Sequence, residues 1–373
     1  MPLSAALSTT AAASATPSPA TRPGPPDEVA ALLRDGCVIP AHPLALDEHR
    51  RIDERHQRAL TRYYLGAGAG GLAVGVHTTE FAIRDPRWNL LEPVLAQAAD
   101  TVRTEAGRPV VMVAGACGET AAAVREAELA ADLGYHYALL SPGGIAHLSE
   151  DELVERTAAV AEVLPVIGFY LQPAVGGRWL SARYWSRLAE IPGLAAIKVA
   201  PFDRYATLDV LRAVGSSGRS DEIAVYTGND DNILLDLLTP FEFTIGGETV
   251  RKHVVGGLLG QWAVWTRAAV ELLDRTRAAR AGASEDLPAL LTLAAQLTDA
   301  NAAVFDAANE FHGCVPGIKE VLRRQGLVAD RRCLDPAEDL SPGQAEEIDR
   351  VVAAYPWLTD DEFVAEHVDG WLA

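Results

Sequence analysis

PVIGFYLQPAVGGRWLSARYWSRLAEIPGLAAIKVAPFDRY, residues 165–205, holds two short apolar runs, PVIGFY and LAAIKV, separated by one helical stretch. Ser181 opens that helix and Pro192-Gly193 close it, so the segment reads as strand, helix, strand. A connection of this length joins two parallel strands by a right-handed crossover. Each run carries one polar residue near its carboxyl end, Tyr170 in the first and Lys198 in the second. Carboxyl ends of parallel strands are where such sheets place their chemistry. A lysine inside an apolar strand has to be paired, extended to solvent or chemically used. Desolvation lowers an amine's pKa and leaves a neutral nucleophile able to form a Schiff base with a carbonyl. The alternative on these residues is an ion pair between Lys198 and a buried carboxylate.

The same rhythm extends in both directions. Strands are expected at CVIPA (37–41), LAVGV (72–76), PVVMVAGAC (109–117), YALL (137–140), EIAVYT (222–227) and VVGGLL (254–259), with helices between them. Asp47 is the expected N-cap of the helix after the first strand, and Ser149 with Glu152 forms a capping box for a later one. FEFTIGGETVRKH (241–253) alternates around Gly246-Gly247 and reads as an inserted hairpin, with FEFTI as the other candidate for the eighth strand. Eight strand–helix alternations predict an α/β fold, a (β/α)8 TIM barrel over 27–265 with a helical C-terminal extension over 266–373. In that extension helices are expected at 261–280, 286–312, 316–325 and 342–354, packed against the barrel. A GxGxxG runs from Gly66 to Gly71, but it precedes its strand instead of following one, so it is read as a turn and not as a dinucleotide site.

Composition narrows the function. With 373 residues, 49% of them hydrophobic, the chain buries a large core, and a net charge of −19 argues against nucleic acid or an anionic membrane as partner. Cys37, Cys117, Cys314 and Cys333 show no CxxC spacing, which argues against a zinc module and for a reducing, cytoplasmic setting. The histidines and carboxylates form no ligand motif, so neither a metal nor another cofactor is expected. No apolar run reaches the roughly 18 residues of a membrane span. Residues 1–26, rich in Ala, Ser, Thr and Pro, read as a disordered tail without a secretory signal.

Several of these segments together resemble the dihydrodipicolinate synthase/N-acetylneuraminate lyase family of Schiff-base aldolases. They are GLAVGVHTTEF (71–81), SPGG (141–144), GFYLQP (168–173), AAIKV (195–199), YTGND (226–230) and PGIKEVLRRQGLV (316–328). The resemblance implies a barrel with a helical extension, assembled as a homo-oligomer, a dimer or a tetramer. It matches Lys198 to the imine-forming lysine and Tyr170, 28 residues earlier, to the proton-relaying tyrosine. It also implies that His77, Thr78, Thr79 and Gly228 bind substrate.

Departures are equally specific. The family's GxxGE turn is Val76-His77-Thr78-Thr79-Glu80 here, and Glu80 is read as bracing the loop. Gly143-Gly144 replace a second tyrosine, and Val175 replaces an arginine, with Arg178 three residues on. His147 and Asp203 are read as structural or solvated. The expectation is therefore a divergent class I aldolase or dehydratase acting on a small carbonyl compound, a 2-oxo acid such as pyruvate or a sugar-derived one. The alternatives are a lyase acting on another carbonyl and a non-catalytic barrel binding a sugar acid.

Overall fold

The structure is a computed structural model that describes residues 24–283 and 286–373, so the tail expected over 1–26 falls almost wholly outside the described residues. Its strands are β1 (Val38–Pro40), β2 (Gly71–Val74), β3 (Val111–Ala116), β4 (Tyr137–Leu140), β5 (Val166–Leu171), β6 (Leu194–Ala200), β7 (Ala224–Thr227), β8 (Phe241–Ile245), β9 (Glu248–Lys252) and β10 (Val254–Leu259). Eight of them form one parallel sheet in the order β1-β10-β7-β6-β5-β4-β3-β2. A bridge between Ala41 and Ala73, with His42 N–H donating to the Ala73 carbonyl at 2.8 Å, joins the two edges. The fold is a (β/α)8 barrel.

Successive side chains of a strand point to opposite faces. Both faces of these strands are covered, by the barrel interior and by the helix layer, and their sequences are apolar apart from a few residues such as Lys198 in β6. In β5, Ile167, Phe169 and Leu171 enter the interior, while Val166 and Tyr170 join the layer under the helices. Gly168 lies on the helix side too, where an added Cβ would sit 3.0 Å from Leu188. The first helix, Asp27–Asp35, closes the N-terminal end of the barrel: Val29 and Leu33 join the interior cluster, and Tyr226 Oη donates to the Leu33 carbonyl at 2.8 Å.

β8 and β9 form the expected hairpin outside the barrel, and β10 takes the eighth barrel position. The hairpin leads into the N-terminal end of β10 and packs over the helix Arg204–Ser216, with the Arg212 guanidinium 5.3 Å from the Phe243 ring centre.

Helix boundaries differ from expectation in places that matter. Asp53, not Asp47, caps the helix Glu54–Ala67, accepting from His56 N–H at 3.2 Å. Asp47 instead folds a turn by accepting from the backbone of His49 and Arg51. The Ser149–Glu152 capping box forms as expected, and Ser181 accepts from Tyr184 N–H at 3.1 Å. The helix expected over 286–312 stops at Val304. Asp306, Glu310 and Phe311 take φ of 58°, 54° and 66°, left-handed values that end a right-handed helix. Asp306 holds the break: its carboxylate accepts from Gly313 N–H at 3.0 Å, Asn309 at 2.6 Å and Ser341 at 2.5 Å. The helix Cys314–Arg324 then starts earlier than expected, with Pro316 tolerated in its first turn. A last helix, Asp361–Trp371, is one the sequence reading did not include, and it brings Trp371 to 5.6 Å from the ring of Tyr63. No helix among the described residues is long and apolar enough to cross a membrane.

Candidate active site

Lys198 projects from β6 into a pocket at the carboxyl ends of the strands. Its neighbours in register are Phe169 on β5 and Tyr226 on β7. The ammonium nitrogen sits 4.3 Å from the Phe169 ring centre, within cation–π range. The chain just past β7 leaves room for the lysine stem. A Cβ added at Gly228 would lie 2.4 Å from Lys198 Cε and 2.9 Å from Ala200 Cβ. Gly228, expected to bind substrate, lines the pocket, and its lack of a side chain is what the lysine requires.

The electrostatics centre on one pair. Burial pushes the Lys198 amine down to about 8, opposed by the nearby Asp230 charge. Burial likewise pushes the Asp230 carboxyl up to about 7, opposed by Lys198. Asp230 Oδ1 is buried with no hydrogen-bond partner among the described residues. Its backbone is anchored from the C-terminal extension, with Asn301 donating to the Asp230 carbonyl at 2.6 Å. Two groups so coupled titrate as a pair, not as independent sites.

The turn after β2 brings His77 and Thr78 to the pocket but not Thr79. The Thr79 hydroxyl closes the turn, donating to the His42 carbonyl at 2.7 Å and accepting from Gly75 N–H at 3.0 Å. A buried hydroxyl must be bonded, and backbone partners use this one up. Thr78 donates to the Ala41 carbonyl at 2.8 Å, so its hydroxyl proton is also committed. Burial, and then the Lys198 charge, hold His77 down at about 4. It is neutral at physiological pH and brings no positive charge to a substrate carboxylate.

Tyr170 is not brought to the site. Its ring lies on the helix side of β5 against Trp185, centres 4.9 Å apart, and its oxygen accepts from Leu180 N–H at 3.3 Å. The inward positions on either side of it, Phe169 and Leu171, line the pocket instead. Arg178 is engaged with backbone, donating to the Leu148 carbonyl at 2.5 Å. His147 bonds Glu119 at 3.2 Å on the surface, and Asp203 caps a helix by accepting from Ala206 N–H at 2.7 Å.

Glu80 braces the turn. It adopts φ 66° and forms a buried ion pair with Lys319 at 2.5 Å, while its other oxygen accepts from Leu334 N–H at 2.6 Å. Glu80, Cys333 and Glu338 stand close enough to share a cation. The Lys319 ammonium already supplies positive charge there, and burial holds the Cys333 thiol protonated, which makes it a poor ligand.

Asp230, Gln172, Phe202, Phe305, Phe311 and Cys314 also line the pocket, and the sequence reading assigned none of them. Asp230 ends the YTGND segment, two residues past Gly228. The aromatic residues of the extension had no sequence signal, because the helix break that places them depends on distant partners.

The chain is thus a parallel (β/α)8 barrel whose carboxyl-end pocket is lined by a lysine from β6 and a carboxylate from the loop after β7. The particular family follows from comparison. The Dihydrodipicolinate synthetase family matches residues 36–355, and the chain belongs to it. Among curated proteins it is 26% identical over 178 residues to a 4-hydroxy-tetrahydrodipicolinate synthase from an Exiguobacterium species, a match spanning 47% of this chain and 57% of that one. Two solved structures share the fold. Dihydrodipicolinate synthase from Acinetobacter baumannii, complexed with pyruvate, has TM-score 0.68 and 20% identity, covering 85% of this chain and 98% of that one. N-acetylneuraminate lyase from Fusobacterium nucleatum has TM-score 0.66 and 18% identity, covering 86% and 99%.

Proposed function

We propose that this protein is a Schiff-base lyase in which Lys198 condenses with the carbonyl of a 2-oxo acid such as pyruvate, and Asp230 carries the proton that Tyr170 is not placed to carry. The observation that carries the reading is that Lys198 and Asp230 line one pocket, with Asp230 Oδ1 buried and without a hydrogen-bond partner among the described residues. Burial draws the amine down and the carboxyl up toward neutrality. The family and its pyruvate-bound relative agree with it.

At neutral pH the ammonium form of Lys198 dominates, and the minority holding the neutral amine and the protonated carboxyl is the form that reacts. The amine nitrogen attacks the carbonyl carbon, and its proton passes to the carbonyl oxygen, giving a carbinolamine. The carbinolamine C–O bond then breaks, Asp230 donates its proton to the departing hydroxide, and water leaves. The product is an iminium on Lys198 facing a carboxylate on Asp230, opposite charges that steady one another. The iminium draws electrons from the adjacent carbon, so carbon–carbon cleavage, condensation and dehydration are all open to it. His77, through its N–H, is the side chain placed to orient the substrate carboxylate, with Thr78 beside it. Phe169 lies against the lysine nitrogen and excludes water from that side.

Incubation with pyruvate and borohydride tests this. The hydride reduces the imine to a secondary amine, and the peptide containing Lys198 gains the ligand's mass. Lys198→Ala is expected to abolish the adduct while keeping its circular dichroism spectrum. Asp230→Asn is expected to slow labelling by roughly 10²–10⁴-fold, the usual loss for an acid/base group. No adduct with any 2-oxo acid, or full labelling in Asp230→Asn, refutes the corresponding half of the proposal.

A further inference from the structure

We infer that the part of the substrate beyond its 2-oxo acid is apolar, an aryl or alkyl group rather than a polyhydroxylated chain or a second acid. The inference rests on the Schiff-base reading and adds a substrate class to it.

Above Lys198 the pocket walls are Leu171, Val175, Phe202, Phe305 and Phe311. The enclosed space is about 70 Å³ and opens to solvent at its mouth. The polar groups are few and mostly spoken for. Lys198 and Asp230 belong to the chemistry, the Thr78 hydroxyl proton is committed to the Ala41 carbonyl, and His77 is neutral. The Gln172 amide and the weakly polar Cys314 thiol remain on the wall, and among the described residues no guanidinium lines it. A chain of hydroxyls would bury several groups against rings that offer no partner, and unpaired buried groups weaken binding. A second carboxylate would face Asp230 with no free cation to meet it.

The wall is also held at a conformational cost. Phe202 and Phe311 meet edge to face, with ring centres 5.6 Å apart, and both have left-handed backbone, φ 51° and 66°. Aromatic residues rarely adopt that region, and such strain persists at sites where the surrounding structure enforces it. Here the enforcement is visible. Phe202 N–H donates to Asn229 Oδ1 at 3.1 Å, and Phe311 N–H donates to the Asp306 carbonyl at 3.1 Å. One ring comes from the loop after β6 and the other from the C-terminal extension. Two distant segments thus converge to make the same face of the pocket apolar.

The test uses the full-length protein, borohydride and four 2-oxo acids: pyruvate as reference, 2-oxo-4-phenylbutyrate, 2-oxoglutarate and 2-keto-3-deoxygluconate. The reading is the concentration giving half-maximal labelling of Lys198. The phenyl acid is expected to need a concentration lower by about tenfold or more than the dicarboxylate and the sugar acid, as apolar pockets discriminate on that scale. Phe311→Asn is expected to shrink that ratio. If pyruvate labels Lys198 but the sugar acid or the dicarboxylate labels as well as the phenyl acid or better, the apolar assignment is overturned while the Schiff base stands. An undiminished ratio in Phe311→Asn overturns the assignment to this wall. No labelling by any of the acids, pyruvate included, overturns both.

Discussion

Gly228→Ala tests the geometry of the site without touching any group that does chemistry. Gly228 does not have the left-handed φ that would make alanine strained, so the backbone accepts the substitution. The side chain is what cannot be accommodated. Its Cβ would lie 2.4 Å from Lys198 Cε, 3.2 Å from Lys198 Cγ and 2.9 Å from Ala200 Cβ. Non-bonded carbons rest about 3.5–4.0 Å apart, so the overlap with Cε exceeds about 1 Å. The Ala200 methyl is fixed to β6 and yields only if the strand shifts, whereas the lysine stem turns about its own bonds. The lysine therefore moves, and the protein stays folded. Overpacking of this kind costs about 1–3 kcal/mol, measurable by urea or thermal unfolding. A displacement of about 1 Å at a reacting atom costs on the order of 10²-fold in rate, read as the initial rate of borohydride labelling with pyruvate. Gly218→Ala, where an added Cβ meets nothing within 4 Å, serves as the control and should leave both readings unchanged. Wild-type labelling by a well-folded Gly228→Ala protein would refute the packing of Lys198 across Gly228.

Three further outcomes follow from the same structure. Tyr170→Phe removes a hydroxyl bonded to Leu180 N–H at 3.3 Å and leaves the ring on Trp185, so it should cost about 0.5–1.5 kcal/mol of stability. Its labelling rate should stay near wild type, and a loss of roughly 10²–10⁴-fold would return the proton relay to Tyr170. Lys319→Met strands the buried Glu80 carboxylate and should destabilise the protein by about 3–5 kcal/mol in urea unfolding, with Glu80→Gln added on top recovering part of it. His42, fully buried and bonded to Thr61 and the Pro43 carbonyl, is held at about 4 by burial, below its free value of 6.5. The unfolded chain therefore takes up this proton first as pH falls. Its contribution is complete above about pH 6.5, shrinks down to about pH 4, and amounts to roughly 3 kcal/mol. Unfolding free energies measured between pH 7 and 4 should decline accordingly, and His42→Gln should flatten part of that slope. A slope identical in the variant would remove His42 as its source.

The strands were legible because each is buried on both faces and so appears as an unbroken apolar run between turn residues. Lys198 was legible for the same reason, as the one charge in such a run. That same property hid which way Tyr170 points. A strand with one wet face alternates and so announces its sides, whereas VIGFYL is apolar or aromatic throughout. Facing is then set by register alone, and a slip of one residue turns every side chain over. The β5–β6 ladder shifts between Val166 and Ile167 and pairs Phe169, not Tyr170, with Lys198. The family resemblance matched Tyr170 to the relaying tyrosine, 28 residues before Lys198, whereas the register of the ladder sets Phe169 beside the lysine. The aromatic wall was hidden by a different cause. Residues 286–312 carry no proline or glycine after Pro288 to mark a break. The helix ends because Asp306 finds Ser341 and Gly313, and an added Cβ at Gly313 would lie 2.0 Å from Gln344 Oε1. Ser341 and Gln344 are far along the chain, beyond any local pattern.

The placement of Tyr170 and of the aromatic wall bears on how the site divides its work. In the proposed reading the imine chemistry belongs to β6 and the loop after β7, whose positions the barrel ladder fixes. Recognition of the rest of the substrate would then fall to the loops and to the C-terminal extension, which contributes Phe305, Phe311 and Cys314 to the pocket. The extension also reaches the other side of the site. Lys319 pairs with Glu80, the residue that ends the turn bearing His77 and Thr78, and donates as well to the Arg332 carbonyl at 2.8 Å. An ion pair this deeply buried adds little net stability over an apolar packing, but it tolerates almost no displacement of its partners. Its effect is to lock the turn to the extension, so that the His77 wall and the Phe311 wall keep one spacing. Substitutions in the extension that change the apolar wall can therefore alter which substrate is accepted without disturbing Lys198 or Asp230, whereas substitutions at Glu80 or Lys319 disturb both walls at once.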